Sequence, residues 1–232
     1  MTRLRYSCLV LDHDDTAVDS TSVIHHPAHV EVMRQLRPDV TPVDLDNWFR
    51  KNFEPGIMGY LMNELGFSEE EISEEYKVWR DYTVRIDPPF FPGFLDFLRE
   101  YRRRGGLIAV VSHSETDIIT RHYKMATDGS LFLPDLIHGW STDESKRKPH
   151  PFPVWDIMEQ YHLDREEILV VDDLKPGVLM AKAAGVAVAA AAWSHQIDEI
   201  QCYMKDSCDY YFQQVDEFAR FILQDSLAST GD

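Results

Sequence analysis

Apolar residues along this chain fall into two kinds of pattern. Six short runs, Tyr6–Leu11, Leu107–Ser112, Leu136–Gly139, Ile168–Val171, Val186–Ala190 and Tyr210–Phe212, are almost unbroken by polar positions. Runs of that length predict strands buried on both faces. Between them, apolar residues recur at helical spacing in Gly93–Arg104, Glu115–Met125, Pro151–Tyr161, Val178–Ala184, Gln196–Lys205 and Asp216–Leu223. The alternation predicts an α/β fold: a parallel sheet covered by helices and joined by right-handed crossovers. One interval departs from it. From about Ser20 to Pro89 the pattern is helical, with no convincing strand. Gly56–Leu65 reads as a helix stopped at Gly66, and Ser68-Glu69-Glu70-Glu71 is a capping-box pattern opening a long helix towards Ile86. The expected organisation is therefore a core of residues 1–19 and 90–232, with 20–89 inserted as a helical cap. Pro88-Pro89 and the residues around Asp19–Thr21 would be its two hinge strands. The polar tail Ser226–Asp232 is expected to fray.

Composition narrows the partners. A net charge of −17 over 232 residues argues against a nucleic-acid backbone or an anionic membrane. Any anionic substrate then needs locally placed cations. Three cysteines, Cys8, Cys202 and Cys208, suit a reducing cytoplasm better than a disulfide framework. No segment approaches the roughly 18 apolar residues of a membrane span, and Met1-Thr2-Arg3 leads directly towards the first strand without a signal peptide.

The polar residues that end these strands carry the chemistry. Asp12-His13-Asp14-Asp15-Thr16 follows the first run, at the edge where open α/β sheets bind ligands. Two carboxylates spaced i, i+2 crowd one small volume unless a cation or a proton lies between them. By itself the segment reads equally well as an acidic turn, with Asp15 or Thr16 capping the next helix. The second run ends in Ser112, followed by His113 and Ser114; its hydroxyl and the adjacent N–H groups suit an anion, or a helix cap. Lys148 sits in Lys146-Arg147-Lys148-Pro149-His150-Pro151, where the prolines favour an extended chain and a helix start. The fourth run ends in Asp172-Asp173, ahead of Leu174-Lys175-Pro176-Gly177. Paired carboxylates at two strand ends demand a counter-charge, and Mg²⁺ is the natural hard cation for oxygen ligands.

In this order, DxDxT, an apolar strand ending in Ser, K-P-x-P and an apolar strand ending in DD, the chain resembles the haloacid dehalogenase-like hydrolase superfamily from Arg5 to about Phe221. It is most similar to the small helical-cap phosphatases of the beta-phosphoglucomutase and phosphoglycolate phosphatase type. Asp15 stands where the family usually has Gly, and Gly177 where a further Asp is common. The resemblance implies a Rossmann-like core under a cap that closes over the site and selects the substrate.

It also implies an activity: Mg²⁺-dependent hydrolysis of a small phosphorylated metabolite through an aspartyl-phosphate. Asp12 would be the nucleophile. Asp14 would be the general acid and base, with a raised pKa when metal is bound. Ser112 and Lys148 would hold the transferring phosphoryl group, with His113 beside them. Asp12, Asp172 and Asp173 would hold the metal, with Asp14 contributing a backbone carbonyl. Arg50 and Lys51, the only adjacent basic pair of the cap, are candidates for the substrate's far end, though a solvated helix face explains them as well. His25, His26, His113, His150 and His195 lack the spacing of a metal site, and His13 is expected to point into packing or the cap. Asp14 argues against dehalogenation. A sugar-phosphate mutase is the main alternative, disfavoured because counting from Asp12 puts Ile24, not His25, where mutase-type caps carry a histidine. A non-catalytic binding protein on the same scaffold is a third reading. The state expected is a monomer or small homo-oligomer.

Overall fold

A computed structural model describes residues 4–126 and 132–224. Six strands, β1 (Cys8–Leu11), β2 (Leu107–Val111), β3 (Leu136–His138), β4 (Ile168–Asp172), β5 (Ala187–Ala191) and β6 (Tyr210–Phe212), form one parallel sheet. Their order is β3-β2-β1-β4-β5-β6. The first helices, α1 (His26–Leu36), α2 (Leu45–Phe53), α3 (Ile57–Gly59) and α4 (Glu69–Arg85), all lie between β1 and β2. Six more follow: α5 (Phe94–Arg103), α6 (Thr116–Met125), α7 (Phe152–Tyr161), α8 (Lys175–Ala184), α9 (Asp198–Ser207) and α10 (Val215–Leu223).

Side-chain alternation explains the unbroken apolar runs. Leu9, Leu11, Ile108, Val110, Leu169 and Val171 face α5 and α10, with Phe94, Phe97, Tyr101, Phe218 and Ile222 packed on them. Cys8, Val10, Ala109, Val111, Ile168 and Val170 face the opposite layer, where α7, α8 and α9 contribute Ile157, Val178, Ala181 and Ile200. Both faces are covered, so every strand position is apolar except His138 and Asp172, the last residues of β3 and β4. Full burial of one such Val or Leu contributes roughly 1.5–3 kcal/mol. Charges are therefore confined to the strand ends.

The six expected strands all form, with ends moved by up to two residues. Ser7 lies outside β1 but its backbone still links Glu167 and Leu107 (2.9 Å each). Val186 is drawn into the end of α8, its N–H bonding Ala181 O. α8 starts at Lys175 rather than Val178, because Pro176 fits the first helical turn, where no N–H partner is needed. α9 lies two residues later than its pattern suggested.

The capping box at Ser68 is present: Ser68 Oγ accepts from Glu71 N–H, and the Glu71 carboxylate accepts from Ser68 N–H. The helix expected over 56–65 is instead α3 followed by a π-helical turn, Tyr60–Glu64. Residues 20–89 gather a cluster of their own around Val32, Met33, Trp48, Tyr60, Leu61 and Phe67. Where the chain enters and leaves this segment, Val18 and Phe90 pair antiparallel and Asp19 N–H bonds Pro89 O. No helix among the described residues is long and apolar enough to cross a membrane. Met1-Thr2-Arg3 and the tail Ser226–Asp232 lie outside the described residues.

Candidate active site

The polar residues gather where β1 meets β4, the point at which strand order reverses across the sheet. Leu11 pairs with Val171, and Asp12 N–H bonds Val171 O at 2.8 Å, so Asp12 and Asp172 leave the sheet side by side. Both are buried, as are Asp173 and Lys148. Lys148 Nζ lies 2.5 Å from Asp12 Oδ1 and 2.8 Å from Asp172 Oδ2. The other Asp172 oxygen accepts from Leu174 N–H at 2.9 Å. The Asp172 carboxylate also lies against Gly177, where a Cβ would sit 2.0 Å from Oδ2.

Three carboxylates face one ammonium in this volume. Burial pushes Asp12 up to about 8, Asp172 and Asp14 add to the rise, and Lys148 opposes it. Asp173 is driven well above the usual carboxylate range by burial and by Asp12 and Asp172. Burial disfavours charge on Lys148, but Asp12 and Asp172 outweigh it and raise its pKa. With all three carboxylates ionised the cluster would be two positive charges short of neutrality, and without a further cation protons on Asp12 and Asp173 make up that shortfall. One oxygen from each of Asp12, Asp172 and Asp173 lies within 4.8 Å of the others. Asp173 Oδ2 is buried and has no hydrogen-bond partner. An oxygen-only donor set, an orphaned carboxylate oxygen and that charge deficit fit a divalent hard cation.

Asp14 turns its side chain away from this cluster. His25 Nε2 lies 3.1 Å from Asp14 Oδ1, while Ser114 and, at 3.4 Å, Ser112 donate to Oδ2. Trp79 Nε1–H donates to His25 Nδ1 at 3.0 Å. An indole can only donate, so Nδ1 is bare and Nε2 carries the proton that points at Asp14. Burial would raise the Asp14 pKa, but His25, then His13 and Ser114, outweigh it and hold the carboxyl well below its ordinary range. These neighbours favour the carboxylate; the raised pKa expected of Asp14 concerns the metal-bound site. Burial opposes charge on His25, whereas Asp14 and Asp15 favour it and raise its pKa. The donor from Trp79 works against a second ring proton.

The local chain explains how His25 arrives there. Thr21–His25 is a π-helical turn, which carries an extra residue relative to an α-turn. Counting by offset therefore points to Ile24, which is buried, whereas His25 meets Asp14. The offset no longer weighs against a mutase. Asp15, in the place usually held by Gly, adopts φ 60°. Its carboxylate accepts from both the N–H and the hydroxyl of Thr21. Asp is among the few residues that tolerate this left-handed conformation, and here it anchors the first turn of the inserted segment.

Other candidates are placed differently. Ser112 does not cap α6; its Oγ accepts from Ser114 N–H at 3.1 Å. His113 bonds the backbone oxygen of Lys148 at 2.9 Å, and burial beside Lys148 lowers its pKa to about 4. It positions Lys148 as a neutral ring. Arg50 is paired with Glu199 and Lys51 with Glu64, and neither has a hydrogen bond or ion pair to the acidic cluster. His13 points into packing, its Nε2 3.0 Å from His122 Nδ1. His26 bonds Val43 O, His150 bonds Phe152 N–H, and His195 packs on Phe49. Trp79 and Ser114 had no signal in their own sequence surroundings; only their proximity to Asp14 singles them out.

A parallel sheet with buried carboxylates and one lysine at the switch point defines an α/β enzyme built to handle an anion with a cation's help. The comparisons agree and are more specific. The model of the haloacid dehalogenase-like hydrolase family matches residues 9–191, and the chain belongs to that family. A provisionally named pyrophosphatase PpaX of Caldanaerobacter subterraneus subsp. tengcongensis is 26% identical, over 94% of this chain and 96% of its own. Phosphoglycolate phosphatase 1 of Pseudomonas aeruginosa is 24% identical, over 97% and 85%. A haloacid dehalogenase-like hydrolase structure from Streptococcus pneumoniae superposes with a TM-score of 0.73 at 21% identity, over 94% of this chain and 99% of that one.

Proposed function

We propose that this enzyme hydrolyses a small phosphate monoester in two steps through Asp12. The carrying observation is the buried Asp12–Lys148–Asp172 contact beside the unsatisfied Asp173 oxygen. Mg²⁺ would be held by Asp12, Asp172 and Asp173, with the Asp14 carbonyl, and would offset repulsion between carboxylate and phosphate. Asp12 attacks phosphorus, the bond to the leaving oxygen breaks, and an aspartyl-phosphate forms. Asp14 protonates that oxygen; later, as carboxylate, it takes the proton of the water that attacks phosphorus and frees Asp12. Its bonds to His25 and Ser114 favour the form needed for the second half. Ser112 and Lys148 hold the phosphoryl group, and Lys148 offsets its charge.

Residues 20–89 act as a cap hinged near Val18 and Phe90. Three unpaired cysteines support a reducing, cytoplasmic setting. His25 on Asp14 favours a sugar-phosphate mutase as the second reading. The test is phosphate release from small phosphate esters with and without Mg²⁺, beside Asp12→Asn and an acid-quench mass measurement. Mg²⁺-dependent release and a phosphorylated chain, both lost in the variant, support hydrolysis through Asp12. Isomerised sugar phosphate without net release points to the mutase, and release that survives Asp12→Asn rejects both.

A further inference from the structure

Asp14 is held at both carboxylate oxygens, and both lines of support lead back to α4 of the inserted segment. Trp79 donates to His25 Nδ1 at 3.0 Å, and His25 Nε2 lies 3.1 Å from Asp14 Oδ1. On the other side, Ser114 Oγ donates to Asp14 Oδ2 at 2.5 Å. Glu115 follows Ser114 and is gripped from α4: Tyr76 Oη donates to Oε1 at 2.7 Å, and Arg80 donates to Oε2 at 2.5 Å. Tyr76, Trp79, Arg80 and Thr83 fall at i, i+3, i+4 and i+7, so they form one stripe of the helix. That stripe lies along α6, where Arg80 also binds Asp117 and Arg121 donates to Thr83 O at 2.8 Å.

An isolated exposed ion pair contributes little. The Glu115 contact is of another kind. Its two side chains are only 30% and 25% exposed, and Arg80 spans two carboxylates. The loop it grips is also stiff. Ser114 N–H bonds Ser112 Oγ at 3.1 Å, and Ser114 O accepts from Trp140 N–H at 2.8 Å. Gly139 packs against that turn so closely that a Cβ would stand 2.8 Å from Ser114 O. Close-packed structure transmits a displacement instead of absorbing it, so the position of Glu115 is passed on to Ser114.

We propose that Tyr76, Arg80 and Glu115 are positioning residues for the general acid. They set Ser114, and through it Asp14 Oδ2, as Trp79 sets Oδ1 through His25. None of the three touches Asp14. One helix carries both supports, so Asp14 keeps this orientation only while α4 lies on α6. This rests on the phosphatase reading above, in which Asp14 protonates the leaving oxygen.

The test uses how much each leaving group needs that proton. A nitrophenolate leaves unprotonated, and an alkoxide does not. The ratio kcat/KM covers the reaction only as far as phosphoryl transfer to Asp12, so it isolates the half in which Asp14 is an acid. Wild type, Glu115→Ala, Glu115→Gln, Tyr76→Phe and Glu199→Ala are compared on 4-nitrophenyl phosphate and on the alkyl phosphate that wild type turns over fastest. A general acid contributes about 10²–10⁴-fold, and a displaced one forfeits part of it, so Glu115→Ala should cost the alkyl ester roughly tenfold and the aryl ester less than about threefold. Tyr76→Phe should shift the ratio the same way by less. Glu115→Gln, whose amide oxygen still accepts from Tyr76, should fall between Glu115→Ala and wild type. Glu199→Ala breaks a pair that also ties the inserted segment to the core, through Arg50, and should leave the ratio alone. Equal losses on both esters, no loss, or the same shift in Glu199→Ala overturns this inference, while release that Asp12→Asn abolishes keeps the phosphatase reading. Wild-type release confined to the aryl ester leaves Asp14 without an acid's role and likewise overturns this inference alone. No release from any ester overturns the phosphatase reading, and this inference with it.

Discussion

Gly177→Ala tests whether the Asp172 carboxylate is held where the structure places it. The added Cβ would stand 2.0 Å from Asp172 Oδ2 and 2.2 Å from Cγ. Carbon contacts are comfortable only near about 3.5 Å, so the carboxylate must retreat by more than about 1 Å. Retreat pulls it from Lys148 Nζ at 2.8 Å and from Leu174 N–H at 2.9 Å. Overpacking costs about 1–3 kcal/mol, and a lost hydrogen bond to a charged group about 1.5–3 kcal/mol. Replacing Gly by Ala inside a helix returns only about 0.5–1 kcal/mol. The expected net loss is about 2–4 kcal/mol, a fall of roughly 1 M in the urea midpoint at an m-value of about 2–3 kcal/mol/M. Phosphate release should fall roughly a hundredfold, as for a misplacement of about 1 Å, and stabilisation by Mg²⁺ should shrink. A variant with the wild-type midpoint and undiminished Mg²⁺ stabilisation would refute the packing of Asp172 on Gly177.

Three further outcomes are expected. Trp79→Phe keeps most of the ring but removes the N–H that bonds His25 Nδ1; turnover should fall by about tenfold while stability moves by about 1 kcal/mol, and an unchanged rate would remove Trp79 from the Asp14 network. Asp15→Ala should destabilise more than Asp15→Gly, by about 1 kcal/mol, because both lose the Thr21 contacts but only Ala strains at φ 60°; urea titration showing the reverse order would contradict it. Burial lowers His29 and His195 from 6.5 to about 4. Below pH 6.5 their unfolded forms therefore take up protons that the folded chain refuses, so stability is full above that pH and declines towards pH 4. The loss is on the order of 2 kcal/mol for each histidine; His29→Gln should remove part of the decline in acid-titrated melts, and a slope it leaves unaltered would assign the acid sensitivity elsewhere.

Much of the architecture could be read along the chain because its cause is local. A strand covered on both faces is apolar along its length, so the six runs stood out, and a carboxylate could appear only at or past a strand end. Asp12, Ser112 and Asp172 stand in the sequence at such ends, and the sheet register brings Asp12 beside Asp172. Lys148 is the one of the three that is buried: Lys146 is exposed and pairs with Asp143, and Arg147, partly buried, pairs with Glu144. Nothing in a basic triplet says which member turns inward.

What the sequence by itself determined was the α/β class, the inserted helical segment and the gathering of acidic residues at one sheet edge. Tertiary structure decided the partners. It gave His25 rather than Ile24 to Asp14 through one extra residue in a turn, and it brought Trp79 to that histidine across 54 positions. It tied Arg50 to a glutamate 149 residues away, and so took from the site a cation that the sequence had offered it. Periodicity follows from the backbone's own geometry, repeated every few residues. Charge state and pairing follow from which surfaces meet, and that depends on the packing of the whole chain.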